Sequence, residues 1–431
     1  MFYILATFMT IFLQAFAYDL DRLLKDAEIE VSQEESRIYF KKAVNAIRNK
    51  DYITAIKSAE KFLEKNRISK LEKEIAYEIL GISYFVLGTR PVVKQRAMPY
   101  VKKMDNLLRK IYYQPLSKDT KLKLFVLANN LFLKTKEEKR RRILNENYSF
   151  LKRKKYFVIE NPEYDMFEPY INIFPIEKGN LFGTNQIYIS EKNQTLIEIA
   201  KLLDMGYDEL RIANKYVNPN DIKKGEAIFV PRKRLIPEKD FEFYHIYINL
   251  SEKRLYYPVM INNKPYVITI PVGIGTDENQ SPVGDFKITE KRRNPEWRVP
   301  KSIREENPDL PEVVPPGPDN PLGTRAMRLG NTSFLMHGTS KKFGIGMKVS
   351  HGCIRMYNRD VERLFDIVPK GTPVHITEKD YKLYKNGTVL IEVFSLSQED
   401  KNEITEKFPD INKDILDYTE KERKGYATPL K

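Results

Sequence analysis

Residues 336–357 read MHGTSKKFGIGMKVSHGCIRMY. They hold the chain's only cysteine, Cys353, and two of its four histidines, His337 and His351. A thiol attacks carbonyls as the thiolate, so at neutral pH it needs a base or a cationic neighbour. Apolar Phe334, Leu335 and Met336 predict a buried strand that ends in His337. Gly344 and Gly346 punctuate the loop that follows. After Cys353, Asn358 is placed to cap a helix with Val361, Leu364, Phe365 and Val368 on one face. The loop therefore doubles back and returns Cys353 opposite His337. Gly352 allows close backbone approach to a substrate, and amides near Cys353 are candidates for an oxyanion hole. The spacing alone is a weak motif, because a lone cysteine is usually a small core hydrophobe.

The stretch resembles the signature of L,D-transpeptidases of the YkuD type: a first His, a loop, then [S/T]-H-G-C, an apolar residue and Arg or Asn. Here these are His337, Ser350-His351-Gly352-Cys353, Ile354 and Arg355. Other pieces resemble the family in the same order: Lys253 to Tyr257, Ile270 to Gly275, Ser281-Pro282-Val283-Gly284-Asp285-Phe286, Asn294 to Trp297, and the PPGPDNPLG run at 315–323. The resemblance spans about residues 242–378.

Length and composition set the frame. The chain has 431 residues, room for several domains, and 42% hydrophobic residues, enough for packed cores. A formal net charge of +14 favours anionic partners. Lys and Arg are spread out with no nucleic-acid module, so no nucleic-acid partner is expected. Residues 1–17, MFYILATFMTIFLQAFA, are apolar, shorter than the ~20 residues of a membrane span, and end in an A-x-A site. They read as a secretory signal peptide. No span is expected after its cleavage, and the chain is expected to be exported to the periplasm or cell envelope. With one cysteine no internal disulfide is possible.

The remaining chain reads as a multidomain α and β protein. Residues 18–155 form an all-α, helical-repeat-like domain that resembles tetratricopeptide helix pairs, with Ala43 and Gly81 at equivalent small positions. Such pairs offer a place for a protein partner. Residues 156–182, rich in Pro, aromatics and Asn, read as a linker. Residues 183–233 have the order βααβ and resemble a LysM module, a family that binds glycans containing N-acetylglucosamine. Its usual Gly-Asp-Thr turn is here Asn193-Gln194-Thr195. Residues 240–378 alternate in short strands with turn signals and predict a mainly-β, sandwich-like catalytic domain. Residues 379–431 read as a hairpin through Asn386-Gly387 followed by a charged, solvated tail.

The resemblance implies a two-step acyl transfer on peptidoglycan stem peptides, with glycan strands as a second partner. Cys353 is the implied nucleophile and His337 the implied base. Ser350, His351 and Gly352 support them, and Gly338 and Arg355 are candidate substrate contacts. No cofactor is expected. A metal is not expected either, because no H-E-x-x-H, cysteine pair or carboxylate cluster accompanies the histidines. Two other readings stay open. The same residues suit an L,D-carboxypeptidase or cysteine peptidase that passes the thioester to water. A wall-binding scaffold without catalysis is the other. His245 and His375 fall on expected strands and are read as structural.

Overall fold

The computed structural model describes residues 34–65, 68–90, 94–147, 172–341 and 343–431. The expected signal peptide and the first part of the expected linker, 156–171, lie outside the described residues. The chain divides into two units, up to Leu124 and from Phe125 onward.

Helices of the first unit start where a side chain can satisfy their free amides. Helix α1 (34–48) turns into α2 (Tyr52–Leu63) at Asp51, whose carboxylate accepts from the Thr54 N–H. Ser69 and Glu72 form a reciprocal cap on α3 (Lys70–Thr89), and α4 (Lys94–Tyr112) follows. Alanines and aromatics at helical spacing build the core, with Phe40, Ala43, Ala55, Phe62 and Ala76 buried. Two buried carboxylates on α3 are paired: Glu74 accepts from the Ser117 amide and hydroxyl at 2.6 Å, and Glu78 from the Thr120 hydroxyl at 2.8 Å. Lys123 adds a cation 3.5 Å from Glu78, so both buried carboxylates are compensated in the low-dielectric core.

The second unit contains the latter half of α5 (Lys118–Lys134) and α6 (Glu138–Asn147). Strand β1 (Asn172–Lys178) and β2 (Leu181–Phe182) come next. They correct the expected linker boundary: β1 pairs antiparallel with a strand of the large sheet, and Ile173 and Phe174 are buried. Pro175 within β1 masks the alternation in the sequence. A βααβ module follows: β3 (Gln186–Ile189), α7 (Leu196–Leu203), α8 (Tyr207–Ala213) and β4 (Ala227–Val230). Asn129 and Asn130 of α5 hold its end, through the Gly225 carbonyl and both backbone groups of Ala227.

Strands then succeed one another: β5 (Arg234–Leu235), β6 (Ile246–Asn249), β7 (Arg254–Ile261), β8 (Lys264–Pro271), β9 (Ile274–Gly275) and β10 (Gly284–Arg293). An insert contributes β11 (Trp297–Arg298), α9 (Lys301–Glu306) and β12 (Val313–Val314). The chain continues through β13 (Arg325–Leu329), β14 (Leu335–His337), β15 (Lys348–Ser350), β16 (Ile354–Arg355), α10 (Asn358–Ile367) and β17 (Pro373–Thr377). Eleven strands form one sheet in the order β16-β14-β13-β10-β17-β6-β7-β8-β1-β2-β5. A sheet this wide curls. One core accordingly joins Ile248, Leu255 and Ile268 from one half to Met327, Met336 and Ile354 from the other, together with Val361 and Leu364 of α10. The expected mainly-β domain is thus one continuous sheet whose two halves share a core.

The C-terminal segment also departs from expectation. Strands β18 (Tyr381–Asn386), β19 (Thr388–Val393) and β20 (Thr428–Pro429) form a second sheet, joined by α11 (Gln398–Lys407) and α12 (Lys413–Glu422). Tyr418, Tyr426 and Leu416 are buried, and the Tyr426 ring lies 5.2 Å from Phe229 of the module. The charge of this segment hides one apolar face on each helix. It is a packed subdomain, not a solvated tail.

Module, sheet and C-terminal subdomain meet at a buried ionic cluster. Arg254 of β7 grips Glu209 of α8 through two hydrogen bonds, 2.6 and 2.7 Å. Arg234 reaches Glu392 at 3.1 Å, and Lys382 lies 2.9 Å from both Glu252 and Glu392. Burial alone would raise the Glu209 carboxyl, but Arg234 and Arg254 hold it at about 2. Three carboxylates thus balance three cations, all nearly excluded from water. Removing one partner strands the other, a loss of about 3–5 kcal/mol. Arg254→Met should therefore destabilise this unit by about that amount in urea unfolding, and Arg254→Met/Glu209→Met should recover part of it. An Arg254→Met protein as stable as the parent would show that the cluster is not holding the module.

Candidate active site

Strands β14 and β16 are parallel neighbours, with Met336 opposite Ile354 and His337 opposite Arg355. Side chains alternate across a strand. Met336 and Ile354 are fully buried on the face that packs α10. His337, Arg355, Leu335 and Cys353 therefore share the other face, in adjacent rows. The Leu335 amide donates to the Cys353 sulfur, 3.4 Å away, so the thiol stands beside the start of β14.

The intervening loop is held on every side. The Gly338 amide donates to the Arg325 carbonyl, and the Met356 amide returns to the His337 carbonyl. Asn358 was expected to cap its own helix. Instead Tyr357 is the N-cap residue, and the Asn358 Oδ1 accepts from the Thr339 and Thr324 amides at 3.1 and 3.3 Å. It ties the loop after His337 to the end of the insert. Further along, β15 pairs with β9, and the Gly346 amide donates to the Val272 carbonyl. The start of α8 closes over this point: the Tyr207 and Asp208 amides donate to the Ile345 and Gly346 carbonyls, both at 3.3 Å. A Cβ at Gly346 would stand 2.4 Å from the Gly206 Cα, so only glycine fits. Gly352 has φ +93, and a Cβ there would meet the Phe334 ring at 2.5 Å.

His337 is buried. Its Nδ1 lies 2.6 Å from the Gly338 carbonyl, so Nδ1 carries the proton and Nε2 is left basic. Burial and then the Arg355 charge lower its pKa to about 4, while the Gly338 and Leu322 carbonyls favour the protonated ring. Burial raises the Cys353 thiol above its usual value, opposed by the Leu335 amide, Arg355 and Arg328. At neutral pH the resting pair is thus thiol and neutral imidazole. Arg355 is half-buried, and its Nε finds no hydrogen-bond partner among the described residues.

The other expected residues take lesser places. The Ser350 hydroxyl donates to the Cys353 carbonyl at 2.6 Å and shapes the turn. His351 is exposed and turns to the insert, where its Nε2 lies 3.3 Å from Glu306 of α9. Gly338 contributes a carbonyl to the His337 ring. His245, just before β6, and His375 of β17 stack with Tyr247 of β6, and His375 contacts Asp285 of β10. Among the described residues, no group of three or more His, Cys, Asp or Glu is placed to hold a metal.

The register also brings in residues the sequence did not single out. Glu290 pairs with Arg328, and Arg328 with Leu335, so one row runs Glu290, Arg328, Leu335 across three strands, and the Cys353 sulfur stands 3.4 Å from the Leu335 amide at its end. The next runs Arg292, Ala326, His337, Arg355. Pro295 and Leu322 of the insert line a narrow cleft together with Glu290, Arg292, Ala326, Arg328 and Leu335 of these rows, about 10 Å³, the room of one water molecule.

Residues 243–376 match the L,D-transpeptidase catalytic domain of the YkuD family. The chain is 36% identical over 230 residues to the probable L,D-transpeptidase YcfS of Escherichia coli K12, covering 51% of this chain and 71% of that protein. It is 34% identical over 216 residues to the probable L,D-transpeptidase ErfK/SrfK of Salmonella typhimurium, covering 48% and 68%. The putative L,D-transpeptidase YkuD of Bacillus subtilis is 30% identical over 189 residues, covering 44% of this chain and 97% of that one. With its thiol and imidazole on one face of the sheet and these relatives matched over most of their length, this chain belongs to the L,D-transpeptidase family.

Proposed function

We propose that the protein is a peptidoglycan L,D-transpeptidase in which Cys353 and His337 carry the chemistry. The observation that supports this most is their shared face, with the Leu335 amide at the sulfur and the Gly338 carbonyl at Nδ1. His337 Nε2 takes the thiol proton as Sγ attacks the carbonyl of the stem residue that bears an L- and a D-centre. The tetrahedral intermediate collapses, the C–N bond breaks, and the imidazolium gives its proton to the departing D-Ala amine. A thioester remains. An amine of a second stem then attacks, loses its proton to His337, and releases the thiol as an amide forms. Both carbonyls against the ring steady the imidazolium between these steps. Arg355, two residues beyond the sulfur, suits the carboxylate of the leaving residue.

Water competes for the thioester, and the insert supports transfer over hydrolysis. It lines the cleft through Pro295 and Leu322 and reaches His351 through Glu306. The peptidase reading predicts only trimmed stems. We further propose that the βααβ module is a LysM-like element that holds glycan. An open groove of about 760 Å³ lined by Tyr188, Lys192, Gln194, Lys201 and Arg359 supports that reading. The helical unit is the proposed place of a protein partner. Action on wall peptides places the protein in the cell envelope; among the described residues, no helix is long and apolar enough to cross a membrane.

Two experiments test the mechanism. Incubation with a tetrapeptide stem and an amine acceptor should give cross-linked dimer, and replacing residues 299–312 of the insert by a short turn should raise tripeptide relative to dimer. Tripeptide alone, across a wide range of acceptor, would establish the carboxypeptidase instead. Alkylation of Cys353 by iodoacetamide should climb with pH to beyond 9 without a plateau near neutrality, since the thiol is raised and His337 is neutral above about pH 4. Arg355→Ala removes a cation that favours thiolate and disfavours imidazolium. It should slow alkylation at a given pH and raise the His337 pKa in an NMR titration. A rate plateau between pH 5 and 7 would mean a resting ion pair and overturn this assignment.

A further inference from the structure

His337 is oriented by a backbone carbonyl, and a carbonyl on a loop is only as fixed as its peptide. Gly338, which supplies it, is the residue type least able to hold its own peptide in place. The Gly338 carbonyl and the Thr339 amide belong to one rigid peptide unit. Its carbonyl end accepts from His337 Nδ1 at 2.6 Å, and its amide end donates to Asn358 Oδ1 at 3.1 Å. Imidazole, peptide and side-chain amide thus form one hydrogen-bonded chain.

Asn358 Oδ1 also accepts from the Thr324 amide at 3.3 Å. Both partners are donors, so they fix which end of the side-chain amide faces them. Thr324 lies two residues after Leu322, whose carbonyl is the second one against the imidazole. The fit round Oδ1 is close from both sides. A Cβ at Gly338 would stand 2.2 Å from it and a Cβ at Gly323 2.1 Å, and Gly323 has φ +63. Asn358 opens α10, which Val361 and Leu364 anchor in the core, so the clamp sits on a rigid element. The helix start forgoes a side-chain cap, since Tyr357 at the N-cap makes no such hydrogen bond. A residue suited to capping is committed instead to the loop that carries the base.

Resting on the transpeptidase reading, in which His337 is the base, we propose that Asn358 is a positioning residue for His337. It fixes the Gly338–Thr339 peptide, so that the proton stays on Nδ1 and Nε2 stays free to accept one. It also holds the end of the insert that presents the Leu322 carbonyl. Without it the Gly338 peptide is free to turn, the ring loses its orienting acceptor, and both tautomers become accessible. Hydrogen bonds in a chain polarise one another, so a charge placed at residue 358 is passed on to the ring.

The test uses the full chain with two variants. Asn358→Leu keeps the size and removes the acceptor; Asn358→Asp keeps the acceptor and adds a charge. Long-range proton–nitrogen NMR correlations report the His337 tautomer and pKa without substrate, urea unfolding reports the fold, and acylation by a tetrapeptide stem gives kcat and KM. The parent should carry the proton on Nδ1. Asn358→Leu should show mixed tautomers and lower kcat by about 10- to 100-fold with KM within about twofold, the cost of a misplaced base. Asn358→Asp should keep the Nδ1 tautomer and recover most of that rate. It should also raise the His337 pKa, about 4 in the parent, because a negative charge favours imidazolium. The rise should be about one pH unit, since the carboxylate lies within about 8 Å of Nδ1. A folded Asn358→Leu protein with the parent's tautomer overturns the proposal whatever its rate, because the side chain is then only a clamp between loops. If Asn358→Leu does not fold, Asn358→Asp decides, and a His337 pKa that does not move overturns the proposal. A parent with its proton on Nε2 overturns it too. If the stem acylates none of the three proteins, the transpeptidase reading fails, while tautomer and pKa still decide the role of Asn358.

Discussion

Parallel pairing of β14 and β16 is the constraint on which the site depends. Two adjacent parallel strands cannot be joined by a tight turn; the chain must leave the sheet and cross back. Here the crossover, residues 338–353, carries no helix among its described residues. It is a loop whose backbone groups are satisfied piece by piece: by Arg325, by Asn358, by β9 through β15, and by the start of α8. The pairing sets His337 and Cys353 on one face, and the loop's supports keep them there. That explains why a module with its own small core is anchored to the catalytic sheet. The Arg254–Glu209 pair holds α8 at the place where its first amides meet Ile345 and Gly346.

Electrostatics follow from the same geometry. A buried imidazole near Arg355 resists protonation, and a buried thiol resists ionisation. Both effects favour the neutral pair at rest. The Leu335 amide and the two carbonyls around His337 are already in place to meet charge as it develops. Preorganised dipoles of this kind stabilise developing charge without reorganisation.

Much of the site was legible in the sequence because the motif is local. His337, Ser350, Gly352 and Cys353 lie within a short stretch, and each residue's backbone need is visible from its type and spacing. The strand before His337 and the apolar face of α10 followed from periodicity. Arg328 and Glu290 were not legible, for a specific reason. The register of β10 slips between Ile288 and Glu290. Simple alternation puts Glu290 and Arg292 on the face of buried Ile288; the bulge moves them to the face of Cys353, and Lys291 turns to α10 instead. The strand at 172–178 was obscured by Pro175, and the packed C-terminal helices by their charged outer faces. Asn358 was expected at the right place with the wrong partner, since a side chain that caps a helix and one that clamps two loops look alike in sequence.

The account stands most directly on the covalent step. Intact-mass measurement of the parent protein with a tetrapeptide stem and no acceptor should show one adduct with the mass of the acyl tripeptide, mapped by digestion to Cys353, with D-Ala released. His337→Gln should form the same adduct about 100- to 10,000-fold more slowly. An adduct on another residue, or equal acylation rates with and without His337, would contradict the placement of nucleophile and base on this face.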